Sequence, residues 1–199
     1  MKIILSNISK KFRSNKVINN FNYSFNKGTY AILGKNGSGK STLLKIIGNL
    51  LTPSSGKVIY DFSKSSDITK EIFFCAPYQE LISELTVSEF LNFHKKFRDI
   101  KTDYSNILKE FKLNHFKDDK IHNLSSGSIQ KLKLIISFYS NARFILLDEP
   151  TTNLDDEGKI IYLKNLNKAY NKKGIIIATN DKNDILEKKT KIINIDQEI

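Results

Sequence analysis

The sequence predicts an α/β fold in which strands of a parallel sheet are interrupted by a mostly helical insert. A glycine-rich loop, residues 34–39, stands between an apolar strand pattern at Thr29–Leu33 and a helical pattern. Two other apolar runs, Phe144–Leu147 and Gly174–Thr179, lack polar alternation, which is typical of strands buried on both faces of a parallel sheet. Residues 86–123 are mostly helical in pattern and separate two strand-rich parts.

Composition limits the class of protein. The chain has 199 residues, of which 40% are hydrophobic and 27% charged, enough for one domain with a full core. It contains no run of about 18 apolar residues, so no membrane span is predicted. The N-terminal apolar stretch is too short for a signal peptide. The single cysteine, Cys75, excludes an intrachain disulfide and is compatible with a reducing cytosol.

Strands are also predicted on either side of the glycine-rich loop. Phe21, Tyr23 and Phe25 alternate with polar residues, which indicates a half-buried strand. Phe12 lies near the end of the first strand, where its flat ring could stack on an adenine base. A core or rim aromatic is an equally good interpretation of Phe12. The predicted strands outside the apolar runs are residues 2–12, 16–26, 57–62, 72–75 and 192–195.

The glycine-rich loop matches the phosphate-binding pattern G-x-x-x-x-G-K-[ST]. Its glycines let the backbone present N–H groups to phosphate oxygens, and the dipole of a helix predicted at Lys40–Leu51 adds positive potential. Lys40 would reach the β- and γ-phosphates, and the Ser41 hydroxyl would bind Mg²⁺. A chance glycine-rich turn is the alternative, but the strand–loop–helix context argues against it. The predicted nucleotide-binding residues are Gly34, Lys35, Asn36, Gly37, Ser38, Gly39, Lys40, Ser41 and Thr42.

Two carboxylates end the apolar run that begins at Phe144. Asp148 and Glu149 would then lie at the carboxyl end of a buried strand, where open α/β sheets bind ligands. Asp148 can hold Mg²⁺ through water, and Glu149 can polarise an attacking water molecule. The alternative is a solvated pair of loop acids, which the phosphate-binding loop makes the weaker interpretation.

The helical part begins with a predicted capping box. Thr86 can cap the first backbone N–H groups, and Glu89 can reach back to Thr86. Phe90, Phe93 and Phe97 then line one helical face, which we interpret as core in preference to a binding surface. Further helices are predicted from Tyr104, after Ser125 and after Asp155.

Taken together, these motifs resemble the ATP-binding cassette (ABC) ATPases over nearly the whole chain. The resemblance lies in the order of the motifs: P-loop, glutamine loop, signature, Asp-Glu strand, D-loop and switch. Leu146–Asp155 is similar to the family's Walker B and D-loop segments, and Leu85–Leu91 to its entry into the helical subdomain. The fold that this implies is a P-loop NTPase α/β core with a small antiparallel β subdomain and an α-helical subdomain. The chain would be one ABC-type domain, residues 1–199, with the helical subdomain inserted at about 86–141.

The resemblance also implies roles for individual residues. Phe12 matches the adenine-stacking aromatic, and Gly34 to Thr42 match the Walker A loop. Glu149 matches the catalytic base, with Asn180 and Gln79 at the other catalytic positions. Ser41, Asp148 and Gln79 would organise Mg²⁺. The implied cofactors are ATP and Mg²⁺, and the implied unit is a head-to-tail dimer closing on two ATP molecules. The signature that reaches the partner's γ-phosphate would be Leu124, Ser125, Ser126, Gly127 and Ser128, and the D-loop would include Leu154 and Asp155.

Three departures from the family pattern affect the expected rate. The usual signature is Leu-Ser-Gly-Gly-Gln, whereas this chain has Ser126 and Ser128 at its third and fifth positions. The switch histidine is Asn180, whose amide can hydrogen-bond a γ-phosphate but cannot take a proton. In the glutamine loop, the residue that aligns with the family's glutamine is either Gln79 or, if the register differs by one, Tyr78. We therefore predict retained ATP binding with slow hydrolysis.

The predicted function is an ATP-binding and ATP-hydrolysing subunit that powers a separate membrane permease. It would form a homodimer or heterodimer and lie on the cytoplasmic face of the membrane through its permease. The helical insert, with Phe90, Phe93, Phe97 and Tyr104, and the loop from Tyr78 to Leu85 would be the docking surface. The short segment of 19 residues after Asn180 favours an export-type transporter.

Two alternatives belong to other functional classes. A net charge of +11 favours a soluble ABC-family ATPase that acts on nucleic acid. However, the lysines are scattered, and only 44 residues separate Gln79 from Leu124, too few for a long coiled-coil arm. We therefore do not expect nucleic acid as a partner. A regulatory ATP-binding module that does not hydrolyse ATP is suggested by Asn180 and opposed by the intact Glu149.

Overall fold

The computed structural model describes residues 1–62, 68–97 and 103–195 of the chain. In chain order, the strands are β1 (Lys2–Phe12), β2 (Asn15–Phe25), β3 (Gly28–Leu33), β4 (Ser55–Asp61), β5 (Ile72–Cys75), β6 (Phe144–Asp148), β7 (Gly174–Thr179) and β8 (Thr190–Asn194). The helices are α1 (Lys40–Ile47), α2 (Ile68–Glu71), α3 (Val87–Phe97), α4 (Tyr104–Glu110), α5 (Ser126–Tyr139) and α6 (Asp156–Ala169).

A five-stranded sheet in the order β5-β6-β7-β3-β8 forms the centre of the protein, and its neighbouring strands are parallel. All residues of β6 and β7 are buried, as the unbroken apolar runs predict. Although β3 comes earliest of these strands in sequence, it lies between β7 and β8. The loops that follow β3, β6 and β7 therefore meet at one edge of the sheet.

Two hydrophobic cores cover the faces of this sheet. One core lies between the sheet, α1 and a smaller antiparallel sheet in the order β2-β1-β4. The other lies between the opposite face and helices α3, α4, α5 and α6. Side chains of β6 and β7 alternate between the two cores, as expected for strands buried on both sides. The predicted α/β fold, with its parallel core, small antiparallel part and helical part, is confirmed.

Local backbone chemistry explains where the helices begin and end. The predicted capping box is present, because the Thr86 N–H donates to Glu89 Oε2 at 2.8 Å and the Glu89 N–H donates to Thr86 Oγ1 at 3.2 Å. Helix α1 ends at Ile47 and not at Leu51 as predicted. Gly48 caps it, and Asn49 turns the chain with a φ of 58°.

The prediction that an aromatic stripe of α3 belongs to the core is right for Phe90 and wrong for the other two residues. Phe90 is buried, whereas Phe93 is 39% and Phe97 67% exposed. The last two rings pack on each other with centroids 4.5 Å apart. The prediction that Phe90 and Tyr104 belong to the docking surface is also wrong, because both side chains are buried. Helical periodicity identified the face but not how far the core extends along it.

Within residues 1–62, 68–97 and 103–195, none of the helices has both the length and the apolar character that crossing a bilayer requires.

Candidate functional site

The phosphate-binding loop lies between β3 and α1. Gly37 and Gly39 have φ values of 82° and 96°, a region that only glycine adopts without strain. A Cβ atom on Gly39 would also lie 2.9 Å from Val17 Cγ1, so this turn leaves no room for a side chain. Lys40 is the first residue of α1 and is buried, and its Nζ donates to the carbonyl oxygens of Gly34 and Lys35 at 2.9 Å each. The lysine therefore lies across the cradle that the loop encloses.

Two oxygen ligands meet where α1 faces the end of β6. The Ser41 hydroxyl donates to Asp148 Oδ1 at 2.9 Å, although the two residues are 107 positions apart. Asp148 is buried, which raises the pKa of its carboxyl, while the Ser41 hydroxyl and nearby lysine charges oppose that rise. A hydroxyl and a carboxylate are the hard oxygen ligands that Mg²⁺ prefers beside nucleotide phosphates.

The loop also contains a donor with no protein partner. The Ser38 hydroxyl is buried and makes no hydrogen bond, a costly arrangement unless a ligand oxygen meets it. The left-handed glycines, this hydroxyl and the Ser41–Asp148 pair therefore fit a nucleotide phosphate with its magnesium ion. When bound, that metal would neutralise phosphate charge.

Glu149 follows β6 in a strained conformation. Its φ is 44°, which is unusual for a glutamate, and its N–H donates to the Ala178 carbonyl at 2.8 Å. Burial raises the pKa of the Glu149 carboxyl, and the positive charge of Lys40 lowers it. The net rise favours proton uptake, as a general base requires.

Asn180 meets the phosphate-binding loop from the far side. Its Nδ2 donates to Asn36 Oδ1 at 3.0 Å across 144 residues of sequence. The contact forms because β3 and β7 are neighbours, and each strand ends in one of these loops. The predicted switch residue therefore lies beside the loop that would hold the γ-phosphate.

The glutamine loop points its two candidate residues in different directions. The Gln79 Oε1 accepts the Ala76 N–H at 2.9 Å, so this side chain turns back on its own loop. Tyr78 instead stands above Lys45, with Nζ 4.7 Å from the ring centroid, and it interacts with the Asp148 carboxyl. Tyr78 is thus the loop residue beside Asp148, and the metal and catalytic roles of Gln79 stay predictions.

The signature segment caps α5 and packs on the D-loop of the same chain. The Ser125 Oγ accepts the Ser128 N–H at 3.2 Å, as an N-cap should. A Cβ on Gly127 would lie 2.8 Å from the Asn153 carbonyl oxygen, so this position has no room for a side chain. Ser126 is exposed at the start of α5, and Leu124 is buried.

The remaining predicted positions lie around this centre. Leu154 is buried in the D-loop, and Asp155 caps α6 by accepting the Gly158 N–H at 2.7 Å. Thr42 lies in the first turn of α1. Phe12 is 46% exposed at the β1–β2 turn, with Lys10 Nζ 5.1 Å from its ring centroid, and the adenine role stays a prediction.

Sequence reasoning missed a buried carboxylate behind the site. Asp184 accepts hydrogen bonds from the hydroxyls of Thr151 and Thr179, and Thr179 lies next to Glu149. The one signal in the sequence was an acid shortly after Asn180, and nothing there distinguished it from Asp181.

Comparison with known proteins gives a consistent picture. The family model for the ABC transporter matches residues 18–152. The chain is 33% identical over 199 residues to the zinc import ATP-binding protein ZnuC of Wigglesworthia glossinidia brevipalpis, covering 98% of this chain and 83% of that protein. It is 39% identical over 173 residues to the putative hemin import ATP-binding protein HrtA of Staphylococcus haemolyticus, covering 78% of each.

Two other matches differ in kind. The macrolide export ATP-binding/permease protein MacB of Campylobacter jejuni is 32% identical over 90% of this chain, which spans 30% of that longer protein. The solved structure of a putative ABC transporter ATP-binding protein from Pyrococcus furiosus superposes with a TM-score of 0.82. It is 24% identical and covers 100% of this chain and 99% of that one, which shows the shared fold. The predicted family is confirmed: the chain belongs to the ABC transporter family as an ATP-binding subunit, and the ATPases of this family hydrolyse ATP to power transport.

Proposed function

We propose that this chain binds ATP and Mg²⁺ at the edge formed by the loops after β3, β6 and β7, and hydrolyses ATP to drive a separate permease. One observation carries the proposal. Lys40, Ser41, Asp148, Glu149 and Asn180 come from three distant parts of the sequence and converge on one cradle. Phosphoryl transfer requires this combination of phosphate ligand, metal ligands and water-orienting base.

Each of these residues has a distinct task in the proposed reaction. Lys40 leaves its carbonyl partners to bind the β- and γ-phosphates, while Ser41 and Asp148 hold the magnesium ion. Glu149 orients and deprotonates the attacking water, and Asn180 donates to the γ-phosphate. Phe12 stacks on the adenine. Lys40 and the N–H groups of the loop would stabilise the negative charge of the transition state, so positioning and electrostatic stabilisation would supply most of the rate.

We propose that the working unit is a head-to-tail dimer of two identical or two different ATPase chains. Ser125 is exposed at the N-terminus of α5, a helix of 14 residues whose first N–H groups are suited to an anion. The signature, Leu124 to Ser128, would meet the γ-phosphate bound by the partner chain. The single ABC-type domain, residues 1–199, and the helical subdomain at about 86–141 belong to the same proposal.

The surface that we propose for the permease lies between the loop after β5 and helices α3 and α5. Two cavities of about 400 and 280 Å³ lie along this loop, and both are lined by Gln79, Leu81 and Lys133. Ile82, Phe93 and Phe97 are exposed beside them. Exposed apolar side chains gathered at a groove are typical of a protein-binding surface. The expected occupant is an apolar helical segment of the permease, which would hold this chain at the cytoplasmic face of the membrane.

A pull-down from detergent-solubilised native membranes tests the transporter assignment. With tagged wild-type chain and ATP, we expect a polytopic membrane protein in stoichiometric yield, identified by mass spectrometry. Ile82→Asp should remove it, because a charge would be buried against the permease. Ile59→Asp is the matched control, since Ile59 is 41% and Ile82 43% exposed and Ile59 lies on the antiparallel sheet.

Two outcomes of this pull-down would contradict the proposal. Recovery of soluble proteins or nucleic acid with no membrane protein would favour the soluble alternative. Equal recovery by Ile82→Asp and wild type would place the docking surface elsewhere on the chain.

Slow turnover is the second part of the proposal. An amide at position 180 cannot become cationic beside the γ-phosphate, so Asn180→His should raise kcat, by about 10²-fold if the histidine acts like one transition-state donor. Phosphate release at saturating ATP is the measurement. Asn183→His, three residues along on the exposed side of the same segment, controls for adding an imidazole. An unchanged kcat in Asn180→His would show that the switch position does not limit this enzyme.

Direction of transport stays a prediction of the sequence analysis. Relatives of this chain are named for zinc import, for hemin import and for macrolide export. Uptake and efflux assays with the permease recovered above would distinguish export from import.

A further inference from the structure

The buried carboxylate of Asp184 has no role in the reaction described so far. The residue lies in a short 3-10 turn after β7 and is 2% exposed. Burying a carboxylate is costly, so each oxygen is expected to have a strong donor. The Thr151 hydroxyl donates to Oδ1 at 2.5 Å, and the Thr179 hydroxyl donates to Oδ2 at 2.6 Å. The Tyr162 hydroxyl donates to the backbone carbonyl of Asp184 at 2.9 Å.

These two threonines connect Asp184 to both catalytic loops. Thr151 follows β6 two residues after Glu149, and Thr179 ends β7 immediately before Asn180. Asp184 therefore joins the loop that carries the proposed base to the loop that carries the switch residue. Neither loop can move without breaking a short charge-assisted hydrogen bond.

The Thr179 hydroxyl lies near two carboxylates that could accept its one hydrogen bond. Thr179 Oγ1 lies 2.6 Å from Asp184 Oδ2 and 3.3 Å from Glu149 Oε2, and it accepts the Asp181 N–H at 3.0 Å. A hydroxyl has one proton, which it donates to the closer acceptor, Asp184. The Thr179 hydroxyl therefore donates its hydrogen bond to Asp184, and the Glu149 carboxylate keeps its lone pairs for the attacking water.

We infer that Asp184 is a positioning residue for hydrolysis, which acts through Thr179 and Thr151 to hold Glu149 and Asn180 in place. The inference rests on the proposed function, because it presumes that Glu149 is the base. Among the described residues, the hydrogen bonds to the side chain and carbonyl of Asp184 come from Thr151, Thr179 and Tyr162, which belong neither to the phosphate-binding loop nor to the proposed magnesium ligands. Its effect should therefore fall on kcat and not on the KM for ATP.

The test is steady-state phosphate release by purified full-length chain with ATP and Mg²⁺. Asp184→Asn keeps the shape of the side chain but has one acceptor atom where the carboxylate has two, so one threonine loses its partner. We expect kcat to fall about tenfold, as for a displaced catalytic group, with KM for ATP within twofold of wild type. Thr179→Val should lower kcat similarly, and the double variant should be no slower than Thr179→Val alone.

Matched controls separate positioning from simple loss of stability. Asp61→Asn removes the same charge from the exposed end of β4, and Thr29→Val removes a buried threonine hydroxyl that has no hydrogen-bond partner. Both should keep wild-type kcat. If Asp184→Asn does not fold, Thr151→Val and Thr179→Val take its place, since each removes one of the two donors and keeps the side-chain shape.

Specific results would overturn the inference. One is a kcat for Asp184→Asn, or for both threonine variants, within twofold of Asp61→Asn. Others are a KM rise that matches the fall in kcat, and additive effects in the double variant. The proposed function fails separately: if Glu149→Gln hydrolyses ATP as well as wild type, Glu149 is not the base, whatever Asp184 does.

Discussion

Glu149→Gln should lower kcat for ATP hydrolysis by about 10³-fold, within the range that general-base catalysis supplies. The amide has almost the same shape as the carboxylate but cannot accept a proton. The backbone at this residue has a φ of 44°, which glutamine tolerates as poorly as glutamate, so the strain in the folded state is unchanged. The hydrogen bond from the backbone N–H of residue 149 to the Ala178 carbonyl is also kept. The measurement is single-turnover phosphate release with excess enzyme.

The same variant should trap the closed dimer. Because both chains of the proposed dimer would contact each γ-phosphate, a chain that binds ATP without cleaving it should elute as a dimer in size-exclusion chromatography with ATP and Mg²⁺. Glu187→Gln, an exposed glutamate after β7, is the charge-matched control and should behave like wild type. Wild-type turnover in Glu149→Gln would assign the base to another residue. A dimer that forms without ATP would show that assembly does not require nucleotide.

The sequence alone predicted those parts of the site that phosphate chemistry constrains in contiguous residues. The loop at 34–42 and the pair at 148–149 need particular residue types in a particular order, so pattern and mechanism agree. The parallel sheet was predictable for a related reason, since β6 and β7 are buried on both faces and contain no polar alternation.

What the sequence did not predict depends on how strands are ordered in space. Asp184 meets Thr151 because β6 and β7 are neighbours, a fact that no local pattern contains. The direction of Tyr78 and Gln79 depends on one tight turn, in which Gln79 bonds the Ala76 N–H. The exposure of Phe97 depends on where the core ends along α3, and periodicity gives the face of a helix but not its depth.

Lys40→Met should weaken ATP binding by about 10- to 100-fold, because a hydrogen bond to a charged group contributes about 1.5–3 kcal/mol and each 1.4 kcal/mol is tenfold in affinity. Methionine has a similar length and suits a residue that is buried, so the loop should keep its backbone. The Gly34 and Lys35 carbonyls lose the ammonium donor, which in the proposed reaction leaves them for the phosphates when ATP binds. Equilibrium binding of a fluorescent ATP analogue measures the loss.

Hydrolysis should suffer more than binding in this variant. The charge of Lys40 lowers the pKa of both Asp148 and Glu149. Removing that charge raises the two pKa values, which favours protonation of the proposed metal ligand and of the proposed base. Lys27→Met removes the same charge from an exposed turn and should change neither property.

Thermal unfolding with and without ATP and Mg²⁺ distinguishes a binding defect from misfolding. A folded Lys40→Met should keep its ligand-free Tm and lose the rise that ATP gives wild type, since only a ligand bound to the native state stabilises it. A full rise in Lys40→Met would mean that the loop backbone and the metal pair hold the phosphates without the lysine.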